Sequence, residues 1–385
     1  MAGTDVLVIG AGVVGAACAY ACTAAGLTVT VVDRGAIAGG TTSAGEGNIL
    51  VSDKEPGPEL DLALLSSRLW QDISADLDAR CLEYESKGGV VVAGSAATAT
   101  GLRALTAGQR AVGVDAVDLD QDELFQLEPN ISRDVVGGAL YRQDAQVHPM
   151  LATVHLLRRA RQAGAVVRTG TTVVAFLRDR QGAVIGVKTD PADEFYARWV
   201  INAAGTWAGQ VAELAGAPVP VLPRRGFVLV TEPLPRVVRH KVYTAEYLAN
   251  VASDDAGLET SVVVEGTKSG TVLIGASRER VGFDRTFSLP VLRRLATQAI
   301  GVFPFLEKVS LLRSYLGFRP YCPDHLPVIG PDPRVPGLVH ACGHEGAGIG
   351  LAAATGHVIA QLLTDQRPAV DLTPLRPHRF EEAAR

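Results

Sequence analysis

Cysteine is scarce. The 385-residue chain carries five, Cys18, Cys22, Cys81, Cys322 and Cys342. An odd number at irregular spacing argues against a disulfide framework and suits reduced thiols in a cytoplasm. Cys18 and Cys22 lie one helical turn apart. No further ligand stands near them in sequence, so no metal site is expected. A basic excess is absent as well: 36 Lys and Arg against 41 Asp and Glu leave a formal net charge of −5. With no basic stripe either, the chain does not read as a general nucleic-acid binder. No positively charged stretch precedes the first apolar run, so no signal peptide is expected. Val6 to Leu27 is apolar enough to suggest a membrane span, but Gly10 and Gly12 interrupt it and no other stretch competes, so no span is expected. Internal repeats and low-complexity tracts are missing. What remains, 47% hydrophobic and 20% charged residues, is a soluble globular composition with length for one large or two interleaved domains.

The first stretch with chemical content runs from Asp5 to Asp33. Val6–Ile9 reads as a buried strand, Val13–Ala25 as a tightly packed helix stopped by Gly26, and Leu27–Val32 as a second strand. Gly10, Gly12 and Gly15 stand between the first two elements at GxGxxG spacing. Gly10 makes the tight turn, Gly12 admits a pyrophosphate to the backbone, and Gly15 lets the helix lie close to the sheet. The start of that helix, at Val13 and Val14, offers free N–H groups to phosphate. Asp33 ends the second strand, where a carboxylate accepts from ribose hydroxyls. Strand, glycines, helix and acid together mark a dinucleotide site, against a plain glycine-rich helix packed on a sheet.

Arg34 to Asn48 reads as a loop, rich in glycine and hydroxyl side chains (Thr41, Thr42, Ser43), placed to offer donors to phosphates. Pro56–Leu82 looks helical. Between it and Tyr141 short strands and helices alternate, with a turn at Gly137-Gly138, as in an inserted second domain. Met150–Ala163 is a strong helix, and Phe195–Asn202 a strand that runs into Ala203-Ala204-Gly205-Thr206-Trp207. Small residues there permit either ligand approach or simple close packing. Gly226–Thr231, Thr260–Glu265 and Thr271–Ala276 are apolar strands, the last two joined as a hairpin. A helix follows at Leu289–Val302.

Toward the end come Gly317-Phe318-Arg319-Pro320 and, after a short strand, Gly343-His344-Glu345-Gly346-Ala347-Gly348-Ile349 leading into a helix. A second helix start is thus aimed at something. It would stabilise negative charge developing nearby. Arg319 precedes a proline, so a stiff turn is expected to present a guanidinium able to hold a carboxylate through parallel hydrogen bonds. An internal ion pair is the alternative.

Taken together these residues resemble the D-amino-acid oxidase family of FAD-dependent oxidoreductases, which includes glycine oxidase, sarcosine oxidase β-type subunits and D-hydroxyproline dehydrogenases. The likeness covers nearly the whole chain. Val200-Ile201-Asn202-Ala203-Ala204-Gly205-Thr206-Trp207 is similar to the family's Val-Val-Asn-Ala-Ala-Gly-x-Trp. Gly317-Phe318-Arg319-Pro320 with Pro323-Asp324 and Pro327-Val328-Ile329-Gly330 is similar to its Gly-x-Arg-Pro-x-x-Pro-Asp-x-x-Pro-x-Ile-Gly. The resemblance implies an α/β fold in which a Rossmann-like FAD-binding domain (1–85, 144–220 and 319–385) is interleaved with a mixed, largely antiparallel substrate domain (86–143 and 221–318). It places Gly47, Asn48 and Ile49 along the isoalloxazine and Val173 or Val174 beside the adenine. Gly343, Gly346, Gly348 and Ile349 fall at the closing flavin loop. It assigns Arg319 to the substrate carboxylate, with His344 and Tyr247 as further pocket residues. Gly317 stands near the position where some relatives attach the flavin to cysteine, so FAD is expected to be non-covalent.

The activity this implies is oxidation of the C–N bond of glycine, sarcosine, a D-amino acid or D-hydroxyproline. Hydride would pass from the α-carbon to flavin N5 and leave an imine that water hydrolyses. Oxygen, a quinone or a partner subunit would take the electrons. Gly45–Val51 and Gly275-Ala276-Ser277-Arg278 lean toward relatives that oxidise hydroxyproline or opines as subunits of a complex, so an oligomer or hetero-complex is the second expectation. Other readings are an electron-transfer subunit without turnover of its own, or a nicotinamide-linked dehydrogenase. The second glycine-rich turn argues against the last.

Overall fold

The computed structural model describes residues 3–246 and 255–382. Its first sheet has eight strands. Five run parallel, in the order Leu338–Cys342, Glu194–Asn202, Thr4–Ile9, Val29–Val32, Val166–Arg168. Val328–Pro331 adds an antiparallel edge, and Thr172–Arg178 with Val184–Asp190 form an antiparallel extension beside Glu194–Asn202. Strands buried on both faces must be apolar throughout, as Val6, Leu7 and Val8 are. Their C-terminal ends, Ile9, Val32, Asn202 and Cys342, lie along one rim, where open α/β sheets bind ligands.

Close helix packing brings this rim together. The Val13–Ala24 helix is almost entirely Ala, Gly, Val and Cys on its buried side. Its neighbour Gly348–Leu363 crosses it at Gly356, where a Cβ would stand 2.4 Å from the Ala17 carbonyl oxygen. Glu345–Leu363 is long and apolar enough to cross a membrane, which the sequence alone did not single out. Here 61% of it is buried inside the protein. Its apolarity is that of a core helix packed on the sheet and on the Pro58–Leu77 helix.

The second sheet also has eight strands, in the order Leu311–Tyr321, Leu222–Thr231, Val272–Arg278, Glu259–Gly266, Lys241–Thr244, Gly89–Ala93, Gly137–Tyr141, Ala116–Leu119. All pairings are antiparallel except that of Lys241–Thr244 with Gly89–Ala93. The Leu289–Val302 helix covers one face through Val291, Leu292, Leu295 and Ala299. The opposite face is turned to the rim of the first sheet. The α/β architecture with a mixed second sheet is the one expected.

Three local expectations are corrected. Gly137-Gly138 is no turn but the start of a strand, and a Cβ on Gly138 would meet the Val91 carbonyl oxygen at 2.4 Å. Arg319 and Pro320 lie within the Leu311–Tyr321 strand, not on a turn. That strand is an edge, where a missing N–H costs no ladder bond. The helix expected over 56–82 ends at Leu77, and Ala79–Leu82 forms a separate turn capped by the Asp78 side chain.

Candidate active site

A cavity of about 540 Å³ lies between the rim of the first sheet and the open face of the second. Gly10, Gly12, Val13 and Val14 line one end. The Val13–Ala24 helix has no side-chain N-cap and no acid in its first turn. Apart from Val13 N–H, which donates to Thr42 Oγ1 at 3.1 Å, its leading amides are available to an anion. Gly15 does not face the cavity: it seats the helix, since a Cβ there would lie 2.0 Å from the Gly10 carbonyl oxygen.

Asp33 lines the same end. Its Oδ2 accepts from Ala11 N–H and its Oδ1 from Gly35 N–H, both at 2.7 Å. The carboxylate thus fixes both loops and keeps further lone pairs for hydroxyl donors. Arg34 stacks on Trp207 at 4.2 Å, and Trp207 on Phe283 at 5.5 Å. Thr41 and Thr206 each donate to the Phe318 carbonyl at 2.8 Å, tying the glycine-rich loop to the second sheet. Ala204, Gly205 and Val173 also line the cavity, while Val174, the next residue of its strand, points out to solvent.

Some expected residues stand aside. Ser43 is exposed and donates to the Gly40 carbonyl at 3.1 Å. Gly47 is pressed on Val147, where a Cβ would come 1.9 Å from the carbonyl oxygen. Ile49 pairs with Ala145 in a two-stranded ladder. Asn48 between them does reach the cavity. Tyr247 lies outside the described residues.

The second helix start closes the other end with Gly343, His344, Gly346, Gly348 and Ile349. Gly348–Leu363 too has no side-chain N-cap. His344 Nε2 lies 3.0 Å from Thr355 Oγ1, and that hydroxyl donates to the Leu351 carbonyl. Thr355 has one proton to give, so Nε2 carries the imidazole hydrogen and donates. Burial holds the His344 pKa down to about 4, so the ring is neutral. Glu345 is engaged by Arg224 Nη1 at 2.6 Å and His325 Nδ1 at 3.0 Å.

The second sheet contributes a face planed by three glycines. A Cβ on Gly226 would stand 2.1 Å from Arg319 Nη1, one on Gly275 2.6 Å from Glu46 Oε1, and one on Gly317 2.4 Å from the Ala44 Cβ. Arg319 and Glu46 therefore lie flat on the sheet, and both line the cavity. Arg319 donates to the Ser277 carbonyl at 2.8 Å. Glu46 belongs to a polar group with Asn48, Lys241 and Glu265, of which sequence reasoning assigned only Asn48 to the site. The available signal was an acid inside a run of glycines.

The family described as FAD dependent oxidoreductase matches this chain over residues 5–362. The hydrogen cyanide synthase subunit HcnC of Pseudomonas aeruginosa is 30% identical, over 98% of this chain and 96% of that one. Glycine oxidase of Geobacillus kaustophilus is 28% identical over 96% of this chain and 95% of its own. The crystal structure of a glycine oxidase from that organism superposes with a TM-score of 0.88 at 26% identity, covering 98% of this chain and 99% of the other. The L-proline dehydrogenase from P. horikoshii superposes with a TM-score of 0.90 over 99% and 98% of the chains. At 22% identity that likeness bears on the fold.

Proposed function

We propose, from the premise that this chain belongs to the FAD dependent oxidoreductase family, that it is an enzyme oxidising the C–N bond of an amino acid or secondary amino acid. The residues present fit FAD. The uncapped helix start at Gly12 suits a diphosphate, Asp33 a ribose, and the slot between Val173 and Arg34 an adenine. When bound, FAD supplies the two-electron acceptor for the oxidation.

The observation that carries the substrate reading is Arg319. It lies on the cavity floor, donates to the Ser277 carbonyl, and carries a planar fork of donors matched to a carboxylate. Arg319 fixes the substrate's carboxylate end, and this orients the α-carbon toward the cavity interior. His344, neutral and committed to Thr355, shapes the wall and moves no proton. Glycine oxidases among the relatives support a small amino acid or amine as substrate. The five free cysteines support a reducing compartment such as the cytoplasm.

The test is anaerobic mixing of the yellow protein with glycine, sarcosine, D-amino acids, D-hydroxyproline and opines. Bleaching of the flavin spectrum by one of them names the substrate class. Bleaching by none of them sinks the reading. One observation favours a second reading, a dehydrogenase working inside a complex: the relative HcnC is named a subunit. Slow return of colour in air, hastened by a quinone or a partner chain, would mark that case.

A further inference from the structure

Glu46 is a buried acid in the cavity wall to which the reading above gives no work. Its side chain sits on the second sheet over Gly275, two residues along the same strand from Ser277, whose carbonyl holds Arg319. One strand thus carries a guanidinium and a carboxylate side by side. Glu46 Oε2 is fixed by Asn48 Nδ2 at 3.2 Å and stands 3.9 Å from Lys241 Nζ. Glu46 Oε1 is buried and accepts no hydrogen bond among the described residues. A buried carboxylate oxygen left so is destabilising unless something outside the chain completes it.

The charges around it point to what that is. Lys241 Nζ is also paired with Glu265 Oε2 at 2.9 Å and contacts Asn48 Oδ1. One ammonium is thus shared between two buried carboxylates, and Arg319 is the second cation acting on Glu46. A zwitterion whose carboxylate meets Arg319 brings its ammonium to Glu46 Oε1, the acceptor left without a donor.

We propose that Glu46 is a catalytic base that removes a proton from the ammonium of the bound amino acid. This rests on the reading of Arg319 as the carboxylate clamp. An ammonium nitrogen has no lone pair to stabilise the carbon that gives up its hydrogen, so the proton must leave first. In the step, an N–H bond of the substrate breaks and an O–H bond forms on the Glu46 carboxylate. The electron pair stays on nitrogen, and nothing is oxidised or reduced. Asn48 and Lys241 are positioning residues that hold Oε2 and leave Oε1 to the substrate. Burial pushes the Glu46 carboxyl up from its ordinary value, opposed by Lys241 and Arg319 and reinforced by Glu265. That brings its basicity closer to neutral pH, which suits a base. Tyr315, whose hydroxyl lies 3.4 Å from the Gly45 carbonyl oxygen, is kept protonated by burial and by the Glu46 charge.

The experiment uses the full FAD-loaded chain, wild type and Glu46→Gln. The amino acid that bleaches the wild type serves as substrate and acetate as a carboxylate without an amine. In the wild type, kcat/KM reaches its plateau well below the pKa of the free substrate's amine. In Glu46→Gln the acid limb moves up toward that amine pKa, costing about 100-fold at pH 7 and little at high pH. Acetate, read by its perturbation of the flavin spectrum and by thermal shift, binds the variant at least as well as the wild type. A wild-type limb already at the amine pKa overturns the proposal without any variant. So does a limb that Glu46→Gln leaves in place, or loss of acetate binding in that variant. If no amino acid bleaches the wild type, the functional reading itself falls and this one with it. Bleaching with an unmoved limb overturns this one alone.

Discussion

Arg319 Nη1 donates to the Ser277 carbonyl oxygen at 2.8 Å, and the guanidinium crosses Gly226 to do so. The two contacts make Gly226 a site residue without a side chain. In Gly226→Ala the new Cβ would stand 2.1 Å from Nη1 and 2.6 Å from the Ser277 oxygen. The sheet cannot yield, so the guanidinium must. Carboxylate binding should weaken by about 10- to 100-fold, the worth of a charge-assisted pair. Arg319→Ala should lose at least as much. Titration of the flavin spectrum with acetate measures both, and an unaltered affinity in Gly226→Ala would separate Arg319 from carboxylate binding.

The helix crossing at Gly356 should be as sensitive in a different currency. Gly356→Ala would drive a Cβ to 2.4 Å from the Ala17 carbonyl oxygen and 2.5 Å from its carbon. Both partners are backbone, so the helices must part along their length. Overpacking of this kind costs about 1–3 kcal/mol or more. Denaturant unfolding should report that loss. FAD retention should fall with it, because the same two helices carry the cavity's two ends.

Much of this was legible in the chain, and the reason is locality. Gly10, Gly12, Gly15 and Asp33 fall within one strand–helix–strand unit, so their spacing alone conveys the geometry. Arg319 could be found because its neighbours Pro320, Pro323 and Asp324 mark the segment. The planed sheet face could not. Gly226, Gly275 and Gly317 come from three separate strands, and only the pairing of Gly226 with Gly317 and the lateral approach of Gly275 put them on one surface. Glu46 was hidden for the same reason, since its partners Lys241 and Glu265 lie some two hundred residues on. Gly137-Gly138 misled in the other direction. Paired glycines are a turn signal in sequence, but here they let the Val91 carbonyl approach within a ladder.

Asp33 should matter twice over. It anchors Ala11 N–H and Gly35 N–H, and it faces the cavity with its remaining lone pairs. Asp33→Ala removes two backbone anchors and a hydroxyl acceptor. FAD affinity should drop by about 100-fold or more, at a few kcal/mol for charge-assisted hydrogen bonds lost together. The protein should then be isolated largely colourless and turn yellow on adding excess FAD. A fully yellow Asp33→Ala preparation would show the acid to be dispensable for the cofactor.

His344 should leave a mark on stability at acid pH. It is buried and neutral in the folded chain, with its pKa held down to about 4 from an ordinary 6.5. Once unfolded, it takes up a proton at its ordinary pKa. Above pH 6.5 neither state is protonated at this position, and the fold keeps its full stability. As the pH falls from 6.5 toward 4, the unfolded chain binds a proton that the folded chain refuses. Stability is then lost, by at most ~3 kcal/mol at about 1.4 kcal/mol per pH unit. His344→Asn removes the titration and keeps a donor for Thr355. Urea midpoints at several pH values in this window should therefore fall less steeply in the variant than in the wild type. Parallel slopes would mean that His344 titrates normally and is not shielded by the helix packed over it.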